Sequence, residues 1–167
     1  MCIRDSPKNV KEAREIDQEN GNRLWQDAID LEMKNVRIAF ELHDGDPTTL
    51  VGYQEVTTHL VFDVKLGENF RRKARLVGDG HKTGPPASVT YSSVVSRDSV
   101  RICLLLAALN ELEIKCADIK NAYLTAPNRE KVYTWAGPEF GSDEGKPFII
   151  TRAVSYTHLT LPTILLV

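Results

Sequence analysis

Two stretches near the start of the chain repeat apolar residues at helical spacing. The pattern predicts a short helix over residues 7–20, stopped by Gly21, and a longer amphipathic helix over residues 22–42. The apolar stripe of the longer helix consists of Trp25, Ile29, Met33, Val36 and Phe40. A stripe of this kind usually packs on a core, so we interpret it as a packing face rather than as a ligand site.

Further along, apolar and polar residues alternate in two adjacent stretches, residues 56–66 and 70–77. Alternation with a period of two is typical of strands with one buried face. Gly67, Glu68 and Asn69 between the stretches form a plausible tight connection. The sequence therefore predicts an antiparallel hairpin.

The second strand of this hairpin carries an unusual run of cations. Alternation places Arg71, Lys73 and Arg75 on one side, here called the cationic face, and Phe70, Ala74 and Leu76 on the other, with Arg72 as the exception. Neighbouring cations repel each other unless they are solvated or meet an anion, such as a nucleoside triphosphate or a nucleic-acid backbone. An exposed edge strand protected by charge is an equally good interpretation from these residues alone.

A long apolar run over residues 102–109, within the segment 96–112, is typical of a buried helix. The alternating residues 112–116 that follow predict a short strand, with Asp118 where that strand ends. A carboxylate at the rim of a sheet suits Mg²⁺, which prefers oxygen ligands. Capping of a turn or helix is the competing interpretation of Asp118.

Composition and charge narrow the class of protein. The chain has 167 residues, a formal net charge of −2 and 42% hydrophobic residues, as expected of one soluble globular unit. Net charge gives no sign of a nucleic-acid partner, so such evidence must come from local clusters. Three cysteines without metal-type spacing indicate reduced thiols in an intracellular compartment. We expect no membrane partner, because the apolar residues 159–167 are too few to span a bilayer.

The first and last segments of the chain can be encoded by one DNA sequence read on opposite strands. The first five residues can be encoded by a string whose reverse complement translates as Val-Ser-Tyr-Thr-His, the sequence of residues 154–158. This relationship resembles the transposase end sequence added during library preparation. We therefore interpret residues 1–6 and 154–167 as adapter-derived and expect the natural sequence to occupy residues 7–153.

Several blocks in this natural part resemble reverse transcriptases of copia-type LTR retrotransposons. Residues 118–124 and 132–133, and then Gly137-Pro138-Glu139-Phe140, resemble the first catalytic block of that family. Residues 73–77 with Gly80 resemble its Lys-Ala-Arg-Leu-Val-x-x-Gly strand. The helix with Trp25, Ala28 and Glu32 resembles its Trp-x-x-Ala-x-x-x-Glu helix. The blocks occur in the family's order, and Ile119, Tyr123 and Ser93 depart from its usual residues.

The resemblance implies an α+β fold, part of a right-hand polymerase. Residues 7–87 would form the N-terminal helices and the fingers hairpin, and residues 88–153 the start of the palm, with the buried helix packed on an incomplete sheet. Because that sheet is unfinished, we expect some apolar surface to be uncovered.

The resemblance also implies a function, RNA-directed DNA polymerisation, which is nucleotidyl transfer with two Mg²⁺ ions. Asp118 would be a catalytic metal ligand and the backbone carbonyl of Ile119 a second ligand. Tyr123 would lie beneath the sugar and exclude a ribose 2′-hydroxyl. Lys73 and Arg75 would approach nucleotide phosphates or the template, with Arg71 beside them. The implied partners are an RNA template, a DNA primer and a dNTP, in a cytoplasmic retroelement particle.

The family's other two catalytic carboxylates come from an aromatic-x-Asp-Asp hairpin, and this sequence contains no Asp-Asp pair. One carboxylate cannot build a two-metal site, so we expect the fragment to be inactive without the C-terminal remainder of its polyprotein. Two alternatives stay open: a non-catalytic nucleic-acid-binding α+β module that uses the cationic face, and a structural α+β protein without nucleic-acid contacts.

Overall fold

The computed structural model of the chain describes residues 6–80, 95–115, 117 and 121–153. Its helices are α1 (Val10–Glu19), α2 (Leu24–Val36) and α3 (Arg97–Leu109). Its strands are β1 (Phe40–Leu42), β2 (Gln54–Glu55), β3 (Thr58–Lys65), β4 (Arg71–Gly78), β5 (Val132–Trp135) and β6 (Pro147–Ile150). The terminal segments interpreted as adapter-derived lie outside the described residues, except for residue 6.

The first predicted helix is confirmed and is capped at its start. The side chain of Asn9 accepts a hydrogen bond from the Glu12 backbone N–H at 2.9 Å, so one free donor of the first turn is satisfied. The apolar side of α1, with Val10 and Ala13, is buried where α1 packs on α2. The helix pair therefore forms one wall of the core.

The second predicted helix is shorter than expected. Helix α2 ends at Val36 instead of Leu42, and a 3₁₀ turn over Arg37–Ala39 leads into β1. Phe40 leaves the helical stripe because β1 pairs antiparallel with β6, where its ring lies 5.3 Å from the ring of Phe140. Tertiary pairing has overridden the local helical pattern.

A four-stranded sheet in the order β1-β6-β5-β2 contributes to the same buried cluster as the helices. Strands β1, β6 and β5 are antiparallel, whereas β2 joins β5 in parallel. Its buried face carries Phe40, Val132, Thr134, Phe148 and Ile150. The sheet therefore draws together segments from both halves of the chain.

The predicted hairpin is confirmed as an antiparallel pair of β3 and β4, with Leu60 opposite Leu76 and Phe62 opposite Ala74. These four residues are buried, and α2 packs against β4. Phe70 was expected on the same apolar side, and this expectation is wrong. It lies in the turn with φ 56° and a half-exposed ring.

Helix α3 is present but is not the buried helix that its composition predicts. Within it, Ala107 is the buried residue, and most of its large apolar side chains are at least two-fifths exposed. Those exposed side chains are Ile102, Leu104, Leu105, Leu106 and Leu109. Apolar surface is thus left uncovered, as the resemblance led us to expect, but on a helix rather than beside a sheet.

The strand predicted over residues 112–116 is not formed by its described residues, 112–115, which are irregular and exposed. They instead follow the end of α3, where Glu111 takes a left-handed conformation with φ 54°. The Leu112 N–H then donates to the Ala107 carbonyl at 2.9 Å, a common helix-terminating arrangement. The Leu112 N–H, which a strand would have used for pairing, therefore closes the end of α3 instead.

In the described part of the chain, no helix combines the length and apolar character that a membrane crossing requires.

Candidate functional site

The cationic face lies on β4, and the structure sorts its members by their partners. Arg71, next to the turn, forms an ion pair with Glu68. Both side chains are more than half exposed, so this contact is worth little in solvent. Arg71 therefore belongs to the exposed turn of the hairpin.

Arg72, the exception in the alternating pattern, points to the opposite side of β4. Its guanidinium lies 5.4 Å from the centroid of the Trp25 ring, a cation–π contact with α2. One of its terminal nitrogens donates to the Phe70 carbonyl at 2.8 Å. Arg72 is thus a packing residue, and this contact explains why the chain tolerates a cation on the inner side.

Lys73 and Arg75 remain as the cations that no described carboxylate neutralises by an ion pair. In the strand register Lys73 is opposite Asp63, but the Asp63 carboxylate pairs with Lys65 at 3.6 Å. Arg75 is opposite the apolar Val61 and is exposed. Among the described residues, Lys73 and Arg75 are thus two neighbouring positive charges without an ion pair, a suitable arrangement for meeting an external anion.

Glu32, on α2, also belongs to this region. Its contact with β4 is not predicted by the sequence pattern. Its carboxylate accepts a hydrogen bond from the Leu76 N–H at 3.0 Å, at the edge of β4 that does not pair with β3. Burial raises the pKa of Glu32, against the hydrogen bond and the charges of Lys73 and Arg75, which lower it. A helix carboxylate thus completes the strand edge beside the two available cations.

The other predicted site residues lie wholly or partly outside the described residues. Asp118 and Ile119 lie outside the described residues. The backbone of Tyr123 is in a 3₁₀ turn over Ala122–Thr125, while its side chain lies outside the described part. That turn is anchored, because Leu124 is buried and its carbonyl accepts a hydrogen bond from Arg152 at 3.0 Å.

Among the described residues, no group of three or more His, Cys, Asp or Glu side chains is arranged to hold a metal ion.

Comparison with known proteins gives one informative similarity. The chain is 27% identical over 157 residues to the "Retrovirus-related Pol polyprotein from transposon RE2" of Arabidopsis thaliana. The alignment covers 91% of this chain and 10% of that polyprotein, so the chain spans about a tenth of the length of the curated relative. No protein-family model matches the chain, and no solved structure matches it. The similarity supports an origin in a retrotransposon Pol polyprotein.

Proposed function

We propose that the chain is part of the reverse transcriptase of a copia-type LTR retrotransposon, an RNA-directed DNA polymerase with the fingers and the first part of the palm. The observation that carries the proposal is the similarity to a transposon Pol polyprotein over nine-tenths of the chain. The pair of available cations on β4 supports it, because polymerases must hold polyanionic substrates.

In this proposal Lys73 and Arg75 bind phosphate groups of the incoming dNTP or of the template, and Arg71 gives a further contact to nucleic acid. The backbone that carries these two cations is held by β3 on one edge and by the Glu32 hydrogen bond to Leu76 on the other, so it is rigidly mounted. Rigid mounting reduces the entropy lost when they engage an anion.

Catalysis in the intact enzyme would use Mg²⁺ ions that activate the primer 3′-hydroxyl and stabilise the pyrophosphate leaving group. The Asp118 carboxylate and the Ile119 carbonyl would supply oxygen ligands, the type that Mg²⁺ prefers. Tyr123 would exclude a ribose 2′-hydroxyl. Since the sequence has no Asp-Asp pair, we expect the fragment alone to bind nucleic acid without extending a primer. The intact protein would act in a cytoplasmic retroelement particle.

Binding of single-stranded DNA or an RNA–DNA hybrid at several salt concentrations tests the proposal. Each phosphate contact adds about 0.7 to the slope of log K against log salt for single strands, so K73Q/R75Q should lower the slope by about 1.4. K11Q, which removes an exposed lysine on α1, is the matched control. Binding that is absent, or that both variants weaken equally, would contradict the proposal.

A non-catalytic binding module is the alternative, and the same two cations favour it. The reading frame at the source locus separates the two. A continuation that encodes an aromatic-x-Asp-Asp hairpin supports the polymerase, and an intact downstream frame without one supports the module.

A further inference from the structure

Helix α2 meets the hairpin through a charged residue at a place where an apolar contact would be expected. Residues Trp25 and Ile29 of α2 are fully buried, and Glu32 continues the same side of the helix one turn later. Instead of packing, its carboxylate accepts the Leu76 N–H at 3.0 Å. The edge of β4 that does not pair with β3 presents a row of backbone N–H and C=O groups. Glu32 satisfies one of these groups, the Leu76 N–H, which would otherwise lack a partner in the sheet.

The same carboxylate lies within electrostatic reach of Lys73 and Arg75 without forming an ion pair with either. The other charged groups that face α2 are directed elsewhere. Arg72 lies over the ring of Trp25, two turns before Glu32. From α1, the carboxylate of Asp17 accepts the backbone N–H groups at the start of α2. From β3, Asp63 is opposite Lys73, but its carboxylate pairs with Lys65 at 3.6 Å. Glu32 is therefore the carboxylate on α2 whose charge acts on both Lys73 and Arg75.

We propose that Glu32 is a positioning residue for phosphate binding by Lys73 and Arg75, fixing the strand that carries them and setting their affinity through its charge. Its ionised form attracts both cations and opposes an incoming phosphate, whereas its protonated form keeps the strand edge covered and removes the opposing charge. This inference rests on the proposed function, since it assumes that the two cations bind phosphate.

Burial favours the neutral form of Glu32 and raises its pKa. A phosphate bound beside the carboxylate must favour that neutral form further, because coupling between two binding events is reciprocal. Phosphate affinity should therefore be highest below the pKa of Glu32 and fall as pH rises through it.

The experiment measures binding of a thymidine oligonucleotide, whose phosphodiester charge is constant, from about pH 4 to pH 8. We expect E32Q to bind about 3- to 10-fold more tightly than the wild type above the Glu32 titration and equally below it. The amide oxygen of Gln can still accept the Leu76 N–H, so this variant removes the charge and keeps the contact. E41Q, an exposed glutamate on β1, is the matched control for background titration.

The outcomes separate the two proposals. If no oligonucleotide binds, or K73Q/R75Q leaves binding unchanged, the proposed function fails. If that double variant weakens binding but E32Q follows the wild-type pH profile, the role of Glu32 alone is overturned.

A measurement on the wild type does not depend on how E32Q folds. Carboxyl carbon NMR should show that saturating oligonucleotide raises the pKa of Glu32, and an unchanged pKa would overturn the inference.

Discussion

The buried carboxylate of Asp17 caps the helix that begins beside Trp25, accepting the Trp25 N–H at 3.1 Å. Its other oxygen accepts the Gln26 N–H at 2.8 Å. The local cap position of α2 is Arg23, whose side chain makes no capping hydrogen bond. A residue of α1 thus supplies the cap that the sequence before α2 lacks, and this links the two helices.

Replacement of Asp17 by Ala should destabilise the protein by about 1–3 kcal/mol, because it leaves the Trp25 N–H, at a buried residue, without its acceptor. Urea unfolding followed by far-UV circular dichroism measures the loss. D30A, at an exposed position of α2, should change the free energy of unfolding by less than about 0.5 kcal/mol. Equal effects of the two variants would rule out the capping role.

Glu32 makes the stability of the hairpin depend on pH. Its pKa is raised by burial, so its contribution to stability is fully present below the ordinary value of 4.5 and is lost as pH rises through the folded-state value. E32Q should therefore gain stability relative to the wild type between acid and neutral pH. E32A should be less stable than E32Q by about 1–3 kcal/mol at neutral pH, since Ala leaves the Leu76 N–H without an acceptor. Urea unfolding of wild type, E32Q and E32A at acid and at neutral pH provides the check. If the free energies of unfolding of E32Q and wild type differed by the same amount at both pH values, the prediction would be wrong.

Asp143 should have the opposite dependence. Hydrogen bonds from Lys146, first, and from Arg37 lower its pKa below the ordinary value of 3.8. Its contribution is present above that ordinary value and is lost as pH falls through the lower folded-state value. D143N should therefore flatten the acid limb of the stability profile, in thermal melts from neutral to strongly acidic pH. D44N, at an exposed aspartate, is a suitable comparison. An unchanged acid limb in D143N would exclude the effect.

The exposed apolar side chains of α3 should govern how the protein behaves at high concentration. Leu105 is 59% exposed and Leu109 70% exposed. The double change L105Q/L109Q should alter the free energy of unfolding by less than about 1 kcal/mol and should reduce binding of a hydrophobic dye. A107Q, at the buried position of the same helix, should instead destabilise it, as thermal unfolding will report. A large loss of stability in the leucine variant would show that these side chains pack.

Where local pattern and tertiary contact agree, the sequence predicts this fold well. The hairpin follows from the alternation over β3 and β4, because the buried side of each strand is set by residues within it. Phe40 shows the limit. It continues a helical stripe, yet it belongs to β1 because its partner strand β6 lies far along the chain. No window around Phe40 contains that information.

The candidate site divides in the same way. The cations on β4 are visible as an alternating set, but the pattern cannot say that Arg72 stacks on Trp25 or that Arg71 meets Glu68. The role of Glu32 was beyond local reasoning, since its acceptor function depends on an N–H of a strand distant in sequence. Its place in the helix that resembles the family's Trp-x-x-Ala-x-x-x-Glu motif is the signal that could have pointed to it.

The pairing of β1 with β6 has a consequence for synthesis. Phe40 and Ile150 can pair only after the ribosome has synthesised the chain through β6, so the sheet closes late. The hairpin and the α1–α2 pair are each built from contacts between residues close in sequence, so they can form while translation continues. Until β6 emerges, the ring of Phe40 lacks its partner rings Phe140 and Phe148 and is therefore most open to wrong contacts.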